Sequence, residues 1–381
     1  MPTRRGFGLV AVAATLTVLA AFGGLPSVAV LGVGGLALVA VSGLATLSPV
    51  RLDVRSIDVP ASRVEVGTRG QITIVLTNPS ARRAPALTLF LIALDDRITV
   101  AVPRLAPGAD VTVTLPLPTK RRGSGSIGPL VTDSADPFGL FRRRLEFGRP
   151  QEFIVHPRHH RLEVIAPSSI RNSEGPAGPY RRPDAASFVG LRVYRPGDDR
   201  RQIHWPTVAR TGELMVREHA DATLERLVLA FDTRSARWDE VRFEQAVEVV
   251  ASVAVAVTGS GVPLTLVIGP DRHDVGGRDA AAGVVLDLLA GVAIGPAAPK
   301  GPTALDTLLT LTSATTSVLV TGAADAGDHV ALAELATRLP VVVIAEIASA
   351  LAPRSAPAST RVRSVRAATS SEFARLWDVL R

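Results

Sequence analysis

The stretch that decides the fold of the C-terminal half is Leu227–Asp232, "LVLAFD", followed after a polar segment by Phe243–Val257, "FEQAVEVVASVAVAV". The first stretch is a short apolar run that ends in an aspartate, which is typical of a buried strand. The second has apolar residues three and four positions apart, which predicts a helix. A buried strand that leads into a helix is the repeating unit of a parallel sheet.

The same alternation continues towards the C-terminus. The further predicted strands are Pro263–Gly269, Thr316–Gly322 and Val341–Ile347. Helical patterns separate them, near Arg278–Val292, Thr303–Leu311 and Asp328–Leu339. Thr369 and Glu372 have the spacing of a capping box for a last helix. Residues 189–381 are therefore predicted to contain an open α/β domain, with a mostly parallel sheet covered by helices on both faces.

Residues 51–157 have a period of two instead. The predicted strands are Gln71–Asn78, Ala86–Ala93, Arg97–Val102 and Asp110–Leu117. Short strands separated by Pro, Gly, Asn and Asp indicate a β-sandwich, and about 100 residues is the usual size of an immunoglobulin-like module.

One glycine-rich segment in this region invites a different interpretation. "GSGSIG", Gly123–Gly128, matches the dinucleotide-binding pattern G-x-G-x-x-G. That pattern needs a helix to open directly after it, and Pro129 follows with no helical pattern behind it. The segment is predicted to be a flexible turn.

The N-terminal residues predict a membrane anchor. No charged residue occurs from Gly6 to Val50, and one membrane span needs about 20 apolar residues. The break "GGLPS", Gly23–Ser27, divides the run into two helices near Phe7–Phe22 and Val28–Leu47. Residues 1–50 are therefore predicted to be a transmembrane helical hairpin, in contact with the lipid bilayer.

The arginines around the hairpin predict its orientation. Arg4 and Arg5 precede it, and Arg51 and Arg55 follow it. The positive-inside rule then places both ends in the cytoplasm. We expect a multi-pass protein of the inner (plasma) membrane whose soluble body is cytoplasmic. The alternative, that the first span is a cleaved signal peptide, remains open.

Composition excludes several classes of function. The net charge is +7, but the basic residues are spread along the chain and aromatics make up only 4%, so nucleic-acid binding is not favoured. The chain has no cysteine, which removes thiol catalysis, disulfides and thiolate metal sites. The sequence also lacks G-x-S-x-G, H-E-x-x-H and P-loop patterns, so it shows no hydrolase or nucleotide-hydrolysing signature.

The most charged stretch is Val189–Arg210, "VGLRVYRPGDDRRQIHWPTVAR". It follows residues 158–188, a Pro-, Gly-, Ser- and Arg-rich segment predicted to be a linker or long loop. "GLRVY" predicts a short strand and "PGDD" a turn. Asp198 or Asp199 then suits the N-cap of a short helix over Arg200–Trp205, which Pro206 ends or replaces with another.

Two interpretations of this stretch remain. In the first, the aspartates pair with neighbouring arginines in a structural clamp, with or without partner contact; those arginines are Arg192, Arg195, Arg200, Arg201 and Arg210. In the second, Asp198 and Asp199 bind a metal, His204 is a base and Arg210 holds an anion. The histidines of "HPRHH" (His156, His159, His160) also suggest a metal, but an exposed strand end is favoured because no acidic partners surround them.

The stretch from Leu191 to Glu218, "LRVYRPGDDRRQIHWPTVARTGELMVRE", resembles the signature of the domain-of-unknown-function 58 family. The residues at pattern positions are Arg192, Tyr194, Gly197, Asp198, Arg201, Trp205, Ala209 and Arg210. Pro206 departs from the pattern and puts the local helix in question. "LVLAFDTRSA" follows and resembles the opening of a von Willebrand factor A-like domain, and the two spans and the "DPFGLF" segment (136–141) extend the resemblance over the whole chain.

The resemblance implies a function without catalysis. Members are often encoded beside MoxR-type AAA+ ATPases, so it implies a membrane-anchored adaptor or scaffold that works with such an ATPase in protein assembly or activation at the cell envelope. The implied partner-binding residues are Arg192, Tyr194, Gly197, Asp198, Asp199, Arg201, His204, Trp205 and Arg210. One alternative is a metal-dependent hydrolase or phosphate-handling enzyme that uses Asp198, Asp199, His204 and Asp232. Another is an outward-facing envelope-binding module.

The resemblance also allows a test for a metal site. An adhesion-type A domain holds a divalent cation with Asp-x-Ser-x-Ser after its first strand. The same positions here are Asp232, Thr233, Arg234, Ser235 and Ala236. Asp232 and Ser235 alone form a degenerate site, Arg234 is expected to neutralise Asp232, and Asp325 does not restore the pattern. We therefore expect neither a metal nor another cofactor.

Overall fold

A computed structural model describes residues 3–47, 52–135, 138–163, 188–195, 203–219, 226–276, 281–296, 301–311, 316–349 and 361–380. The chain divides into two compact units, Met1–Pro157 and Arg158–Arg381. The first contains two apolar helices and a strand-rich region. The second contains an α/β region.

The two N-terminal helices are α1 (Arg4–Gly23) and α2 (Pro26–Leu47). Both are long and apolar enough to cross a membrane, by length and composition. Gly24 ends α1 in the left-handed conformation, with φ of 61°, and Pro26 begins α2. The break predicted at Gly23–Ser27 is therefore confirmed, and each helix starts two or three residues earlier than expected.

Small residues bring α1 and α2 together. A Cβ atom added at Gly32 would lie 2.7 Å from the backbone nitrogen of Thr17, and one added at Gly35 would lie 2.9 Å from the Cβ of Ala13. Ala13 is buried in this contact. Close approach through glycine and alanine is how helices associate in lipid, where no hydrophobic effect drives them together.

We predict that Gly32→Leu lowers the stability of the helix pair, because overpacking of a close contact costs about 1–3 kcal/mol. Gly34→Leu is the matched control, since nothing lies within 4 Å of a Cβ added at Gly34. Thermal unfolding in detergent, followed by circular dichroism, measures both. Equal melting temperatures for the two variants would contradict the close contact.

The strand-rich region consists of two sheets around one core. The strands are β1 (Asp53–Asp58), β2 (Arg63–Glu65), β3 (Gln71–Thr77), β4 (Leu87–Ala93), β5 (Asp96–Val102), β6 (Asp110–Pro116), β7 (Gly123–Ala135), β8 (Arg142–Phe147) and β9 (Gln151–His156). One sheet has the order β1-β3-β6, and the other has the order β2-β9-β7-β4-β5 with β8 paired to β7. Alternate residues of both sheets, including Ile74 and Leu91, meet in a single hydrophobic core.

The four strands predicted here are confirmed as β3 to β6, within one residue at each end. The prediction of a flexible turn at Gly123–Gly128 is wrong, because these residues form the first half of β7, and Gly123–Ile127 pair with β9. Glycine is needed there for packing rather than for a turn. A Cβ added at Gly125 would lie 3.2 Å from the side chain of Leu94.

The α/β region has a six-stranded sheet with the order β14-β13-β12-β15-β16-β17. Its strands are β12 (Leu227–Phe231), β13 (Leu264–Ile268), β14 (Asp271–Val275), β15 (Thr316–Thr321), β16 (Val341–Ile347) and β17 (Val362–Ala367). All pairs are parallel except β13 with β14. The helices are α4 (Glu240–Gly259), α5 (Ala281–Ala290), α6 (Ala304–Thr310), α7 (Ala326–Arg338) and α8 (Ser370–Trp377).

Helices cover both faces of this sheet, as predicted. On one face, residues of α4, α5 and α8 pack with Leu227, Leu229 and Phe231. On the other, residues of α6 and α7 pack with Val228 and Ala230. Consecutive residues of β12 therefore face opposite cores, which explains why every residue of that strand is apolar and buried.

The last helix and the start of the predicted linker also have defined contacts. The Thr369 side chain accepts a hydrogen bond from the Glu372 backbone, whereas the Glu372 carboxylate accepts from Ala368, so only half of the predicted capping box forms. Residues 158–163 pack on the α/β region, with Leu162 buried in its core and Glu163 accepting a hydrogen bond from Trp377. Residues 164–187 lie outside the described residues.

Candidate functional site at the carboxyl edge of the parallel sheet

Asp232 is placed where ligands bind in open α/β sheets. It directly follows β12, whose neighbours β13 and β15 continue the sheet in opposite directions. The crevice at the carboxyl ends of such strands is the usual binding position of this architecture. Asp232 is nevertheless only 3% exposed.

Arg234 holds the Asp232 carboxylate in the ion pair expected from the sequence. Its Nε donates to Oδ1 of Asp232 at 2.9 Å, and its Nη2 donates to Oδ2 at 2.6 Å. The backbone N–H of Arg234 also donates to Oδ1 at 3.1 Å, and the Thr321 hydroxyl donates to Oδ2 at 3.0 Å. Each carboxylate oxygen therefore accepts two hydrogen bonds, which uses its full capacity.

This donor set does not fit a divalent cation. A cation at this edge needs free carboxylate and hydroxyl oxygens, and both Asp232 oxygens already bind a guanidinium and a hydroxyl. Ser235 lies exposed at the start of a 3-10 turn, Ser235–Arg237. In the part of the chain that the structure describes, no group of three or more acidic or histidine side chains could hold a metal ion.

A second arginine binds the next loop along the sheet. Nη2 of Arg237 donates to Asp325 Oδ2 at 2.6 Å and to Asp328 Oδ2 at 2.9 Å, and Nη1 donates to the carbonyl of Ala323 at 2.6 Å. Asp325 and Asp328 also form the capping box that begins α7. Arg237 therefore ties the loop after β12 to the loop after β15.

The ionisation of these groups reflects their hydrogen bonds. The hydrogen bond from Arg234 to Asp232 raises the pKa of the Arg234 guanidinium, which keeps it charged. The backbone N–H of Asp328 holds the pKa of Asp325 below its ordinary value of 3.8, and the bond from Arg237 acts in the same direction. At the start of α6, the backbone N–H of Thr303 likewise lowers the pKa of Asp306.

These lowered values predict a loss of stability in acid. A carboxylate whose pKa is lower in the folded state stabilises that state above its unfolded pKa, and the contribution is lost as pH falls through the folded pKa. The melting temperature should therefore fall below about pH 4. Asp325→Asn keeps a good N-cap residue. Its melting temperature should therefore fall less between pH 7 and acid than that of the natural protein. Identical acid profiles for the two proteins would contradict this role of Asp325.

Aromatic side chains pack next to the loop that contains Asp232. Trp238 donates from Nε1 to the Asp232 carbonyl at 2.6 Å. Its ring packs edge-on against Phe231 and Phe243, with ring centres 6.0 and 5.9 Å apart. His329 is buried nearby in α7, with its Nε2 4.0 Å from Glu346 Oε1. The backbone of the Asp232 loop is thus fixed by a buried indole.

The signature stretch forms a small separate element. β10 (Phe188–Val193) pairs antiparallel with β11 (Met215–His219), and α3 (Trp205–Thr211) lies between them in sequence. The predicted helix over Arg200–Trp205 is wrong at Ile203, which bridges to Val216, and at His204, which is the N-cap; the observed helix begins at Trp205. Pro206 occupies the first turn of α3, where its missing N–H costs nothing.

Some of the described signature residues form hydrogen bonds within this element, and others are exposed to solvent. The His204 ring nitrogen Nδ1 lies 2.7 Å from the Thr207 hydroxyl, and the Tyr194 backbone donates to Leu214 at 2.8 Å. Trp205 and Arg210 are exposed on α3. Arg192 lies in β10, where only its backbone is described. Gly197, Asp198, Asp199 and Arg201 lie outside the described residues, so the proposed pairing of Asp198 and Asp199 remains a prediction.

His204 and Asp232 belong to different hydrogen-bond networks. His204 forms hydrogen bonds with Thr207 and Met215, whereas Asp232 forms hydrogen bonds with Arg234 and Thr321. The hydrolase alternative requires these two residues to act together, and the contacts of the described residues give it no support.

The three histidines of "HPRHH" have different surroundings. His156 is the last residue of β9 and is half-buried, and His159 is exposed. His160 is half-buried, with its backbone N–H bonded to Ser252 and its ring Nε2 3.0 Å from Ser370. The expectation of an exposed strand end is therefore wrong for His160, which packs on the α/β region.

Sequence patterns did not indicate several residues of the site. They are Arg237, Trp238, Thr321, Asp328, His329 and Glu346. The repeat of aspartates three positions apart at Asp325 and Asp328 is a recognisable capping signal. Thr321, His329 and Glu346, and the contacts of Arg237, join the site only through the order of the strands, whereas Trp238 joins it through a bond to the nearby Asp232 that no sequence pattern indicated.

Comparison with known proteins supports the resemblance over the C-terminal half. A family model described as "Protein of unknown function DUF58" matches residues 190–354. The "Uncharacterized protein YeaD" of Bacillus subtilis is 24% identical over 246 residues, which cover 60% of this chain and 59% of that protein. The chain thus matches about three fifths of the length of this curated relative.

Two solved structures show weak similarity to this chain. The alkylpurine DNA glycosylase AlkC of Pseudomonas fluorescens is 11% identical, with a TM-score of 0.19, over 35% of this chain and 43% of that chain. The β-glucosidase of Listeria innocua is 12% identical, with a TM-score of 0.15, over 26% of this chain and 16% of that chain. Scores this low carry no argument about fold or function.

Proposed function

We propose that this protein is a membrane-anchored, non-enzymatic scaffold that binds a partner protein through its α/β region. The observation that carries this proposal is the saturated Asp232 carboxylate. Because Arg234 and Thr321 satisfy both of its oxygens, the usual ligand position of the sheet is filled by the protein's own side chains. A position closed in this way suits a fixed binding surface better than a reaction site.

The strand order supports a von Willebrand factor A-like domain with a degenerate metal site. One helix-covered sheet has the order β14-β13-β12-β15-β16-β17, and β14 is its antiparallel edge. Arg234 supplies within the chain the positive charge that a cation supplies in adhesion-type domains. In the first unit, two sheets around a shared core support an immunoglobulin-like β-sandwich.

The proposed partner is an AAA+ ATPase of the MoxR type. Support comes from the family resemblance, which the match over residues 190–354 strengthens. On the surface, Trp205 is 62% exposed on α3, with Arg210 exposed on the same short helix. Tryptophan and arginine are the residue types most enriched among energetically dominant interface contacts. We propose α3 as the docking element.

The proposed orientation places the body of the protein in the cytoplasm, where ATP is present. Arg4 and Arg5 precede α1, and Arg51 and Arg55 follow α2. An excess of arginine at both ends of a hairpin favours their retention on the cytoplasmic side.

Co-purification from detergent-solubilised membranes, with and without Mg-ATP, tests this function. We expect an AAA+ ATPase to be retained in a nucleotide-dependent manner, and Trp205→Ala to reduce its recovery at least tenfold, which corresponds to about 1.4 kcal/mol of binding. Val241→Ala is the matched control, because Val241 is also exposed, at 75%, but lies on α4. Recovery of no ATPase under either condition would refute the proposed partner.

A further inference from the structure

The loop between β7 and β8 is bonded to the start of the first membrane helix. Residues 138–141 of this loop, "FGLF", are here called the Phe138 turn. The backbone N–H of Thr3 donates to the Leu140 carbonyl at 2.8 Å, and the Thr3 hydroxyl donates to the Gly139 carbonyl at 2.8 Å. Thr3 is also the N-cap of α1. The same residue thus begins the helix and holds the turn.

Both helices of the hairpin contact this turn. A Cβ added at Gly6 of α1 would collide with the Leu140 carbonyl oxygen, and one added at Gly43 of α2 would lie 3.4 Å from the Phe141 ring. Leu140 is buried. The turn is therefore seated against the end of the hairpin where α1 begins and α2 approaches its end.

The depth of the turn follows from the length of α1. Its 20 residues span about 30 Å, which matches the hydrocarbon core of a bilayer. If the hairpin spans the membrane, Thr3 lies at the headgroup level, and the Phe138 turn lies there too. Phe138 is 55% exposed at this level. Phenylalanine is an apolar residue that peripheral anchors insert at the boundary between headgroups and acyl chains.

Several basic residues lie beside the turn, and one acidic residue, Asp136, precedes it in the sequence. Arg4 and Arg5 are exposed in the first turn of α1. Arg142–Arg144 follow the turn in the sequence, and the described ion pair of Arg144 is with Glu146, at 3.4 Å. Basic residues close to an anionic membrane surface are attracted to it.

We propose that the Phe138 turn, with Arg4 and Arg5, is a membrane-interface anchor that binds the surface of a bilayer containing anionic lipids. Phe138 inserts below the headgroups and the two arginines pair with lipid phosphates. The anchor fixes the strand-rich region to the membrane surface at the base of the hairpin. This inference rests on the proposed membrane insertion of α1 and α2.

β7 provides an internal reference for depth. It has 13 residues and spans roughly 40 Å, with Ala135 at the end near the turn. Ile127 pairs with Ala93, so the exposed Asp95 in the β4–β5 connection lies towards the opposite end. Asp95 should therefore lie far from the membrane when Phe138 touches it.

Single-cysteine labelling tests the anchor, because the chain has no cysteine of its own. The full-length variants Phe138→Cys, Asp95→Cys and Val33→Cys carry a nitroxide label in phosphatidylcholine vesicles, with and without phosphatidylglycerol. Val33 is 56% exposed near the middle of α2 and reports insertion of the hairpin. The ratio of oxygen to water-soluble nickel accessibility measures the depth of each label.

We expect the label at position 138 to lie between those at 33 and 95 in depth. When phosphatidylglycerol is added, this label should move deeper, and its ratio of oxygen to nickel accessibility should increase. Arg4→Gln with Arg5→Gln should abolish that increase. Accessibility at position 138 equal to that at 95, with position 33 in lipid, overturns the anchor and leaves the hairpin intact. Failure to respond to phosphatidylglycerol overturns the role of anionic lipid. Exposure of position 33 to water overturns the membrane anchoring and this inference with it.

Discussion

Arg234→Met is expected to lower the free energy of unfolding of the α/β unit by about 3–5 kcal/mol, the usual cost of removing one partner of a buried ion pair. The variant leaves the Asp232 carboxylate, with 4% side-chain exposure, held only by Thr321 and a backbone N–H. Methionine keeps the aliphatic part of the side chain and removes the charge together with the guanidinium hydrogen bonds. Urea unfolding followed by tryptophan fluorescence, to which Trp238 beside Asp232 contributes, measures the effect.

Arg272→Met is the matched control for this prediction. Arg272 also pairs with an aspartate, Asp274, at 2.8 Å, but both side chains are more than 40% exposed. Exposed pairs contribute about 0–1 kcal/mol. Equal losses for Arg234→Met and Arg272→Met would show that the Asp232 pair has no special structural role.

Trp238→Ala is expected to cost about 3–5 kcal/mol, as do other replacements of buried aromatic residues by alanine. The indole is 8% exposed, packs edge-on against both Phe231 and Phe243, and donates to the Asp232 carbonyl. Trp238→Phe keeps most of the ring packing and loses the hydrogen bond. It should therefore cost less than the alanine variant. We expect a loss of about 1–3 kcal/mol, because the Asp232 carbonyl is left unpaired and the ring is smaller. Urea unfolding monitored by circular dichroism compares the two variants, since both alter the fluorescence. Equal stability of the alanine and phenylalanine variants would contradict the packing role.

Strands with apolar or alternating sequences were predictable, and charged edge strands were not. β12, β15 and β16 are buried throughout, so each appears in the sequence as a mostly apolar run. β14 has the sequence "DRHDV" and β17 the sequence "VRSVRA", because strands at the two edges of the sheet expose part of their length to solvent. Their charges hide the pattern that marks the central strands.

The error at Gly123–Gly128 has a similar physical cause. Glycine is depleted in strands, so three glycines in six residues indicate a turn from local preference alone. In the structure, Leu94 from a neighbouring connection packs against Gly123 and Gly125. A contact between residues so far apart in sequence overrides the local preference.

The candidate site was predictable only where its residues are close in sequence. Asp232 and Arg234 are two positions apart, so the loss of the metal pattern and their pairing could both be expected. Arg237 and Asp328 meet only because β12 and β15 are neighbours in the sheet, and no local pattern specifies that neighbourhood. The same reason explains why Thr321 was not identified as the second donor to Asp232.

Thermal unfolding with and without divalent cations tests most directly whether the chain's own side chains close the carboxyl edge of the sheet. Any ligand that binds only the folded state raises the melting temperature. Arg234→Ser with Ala236→Ser restores the Asp-x-Ser-x-Ser pattern from Asp232 and serves as the positive comparison, expected to gain a cation-dependent rise. For the natural sequence we predict the same melting temperature in EDTA and in millimolar Mg²⁺ or Mn²⁺. A rise in the natural protein that Asp232→Ala abolishes would contradict the closed site, and with it the proposal of a scaffold without catalysis.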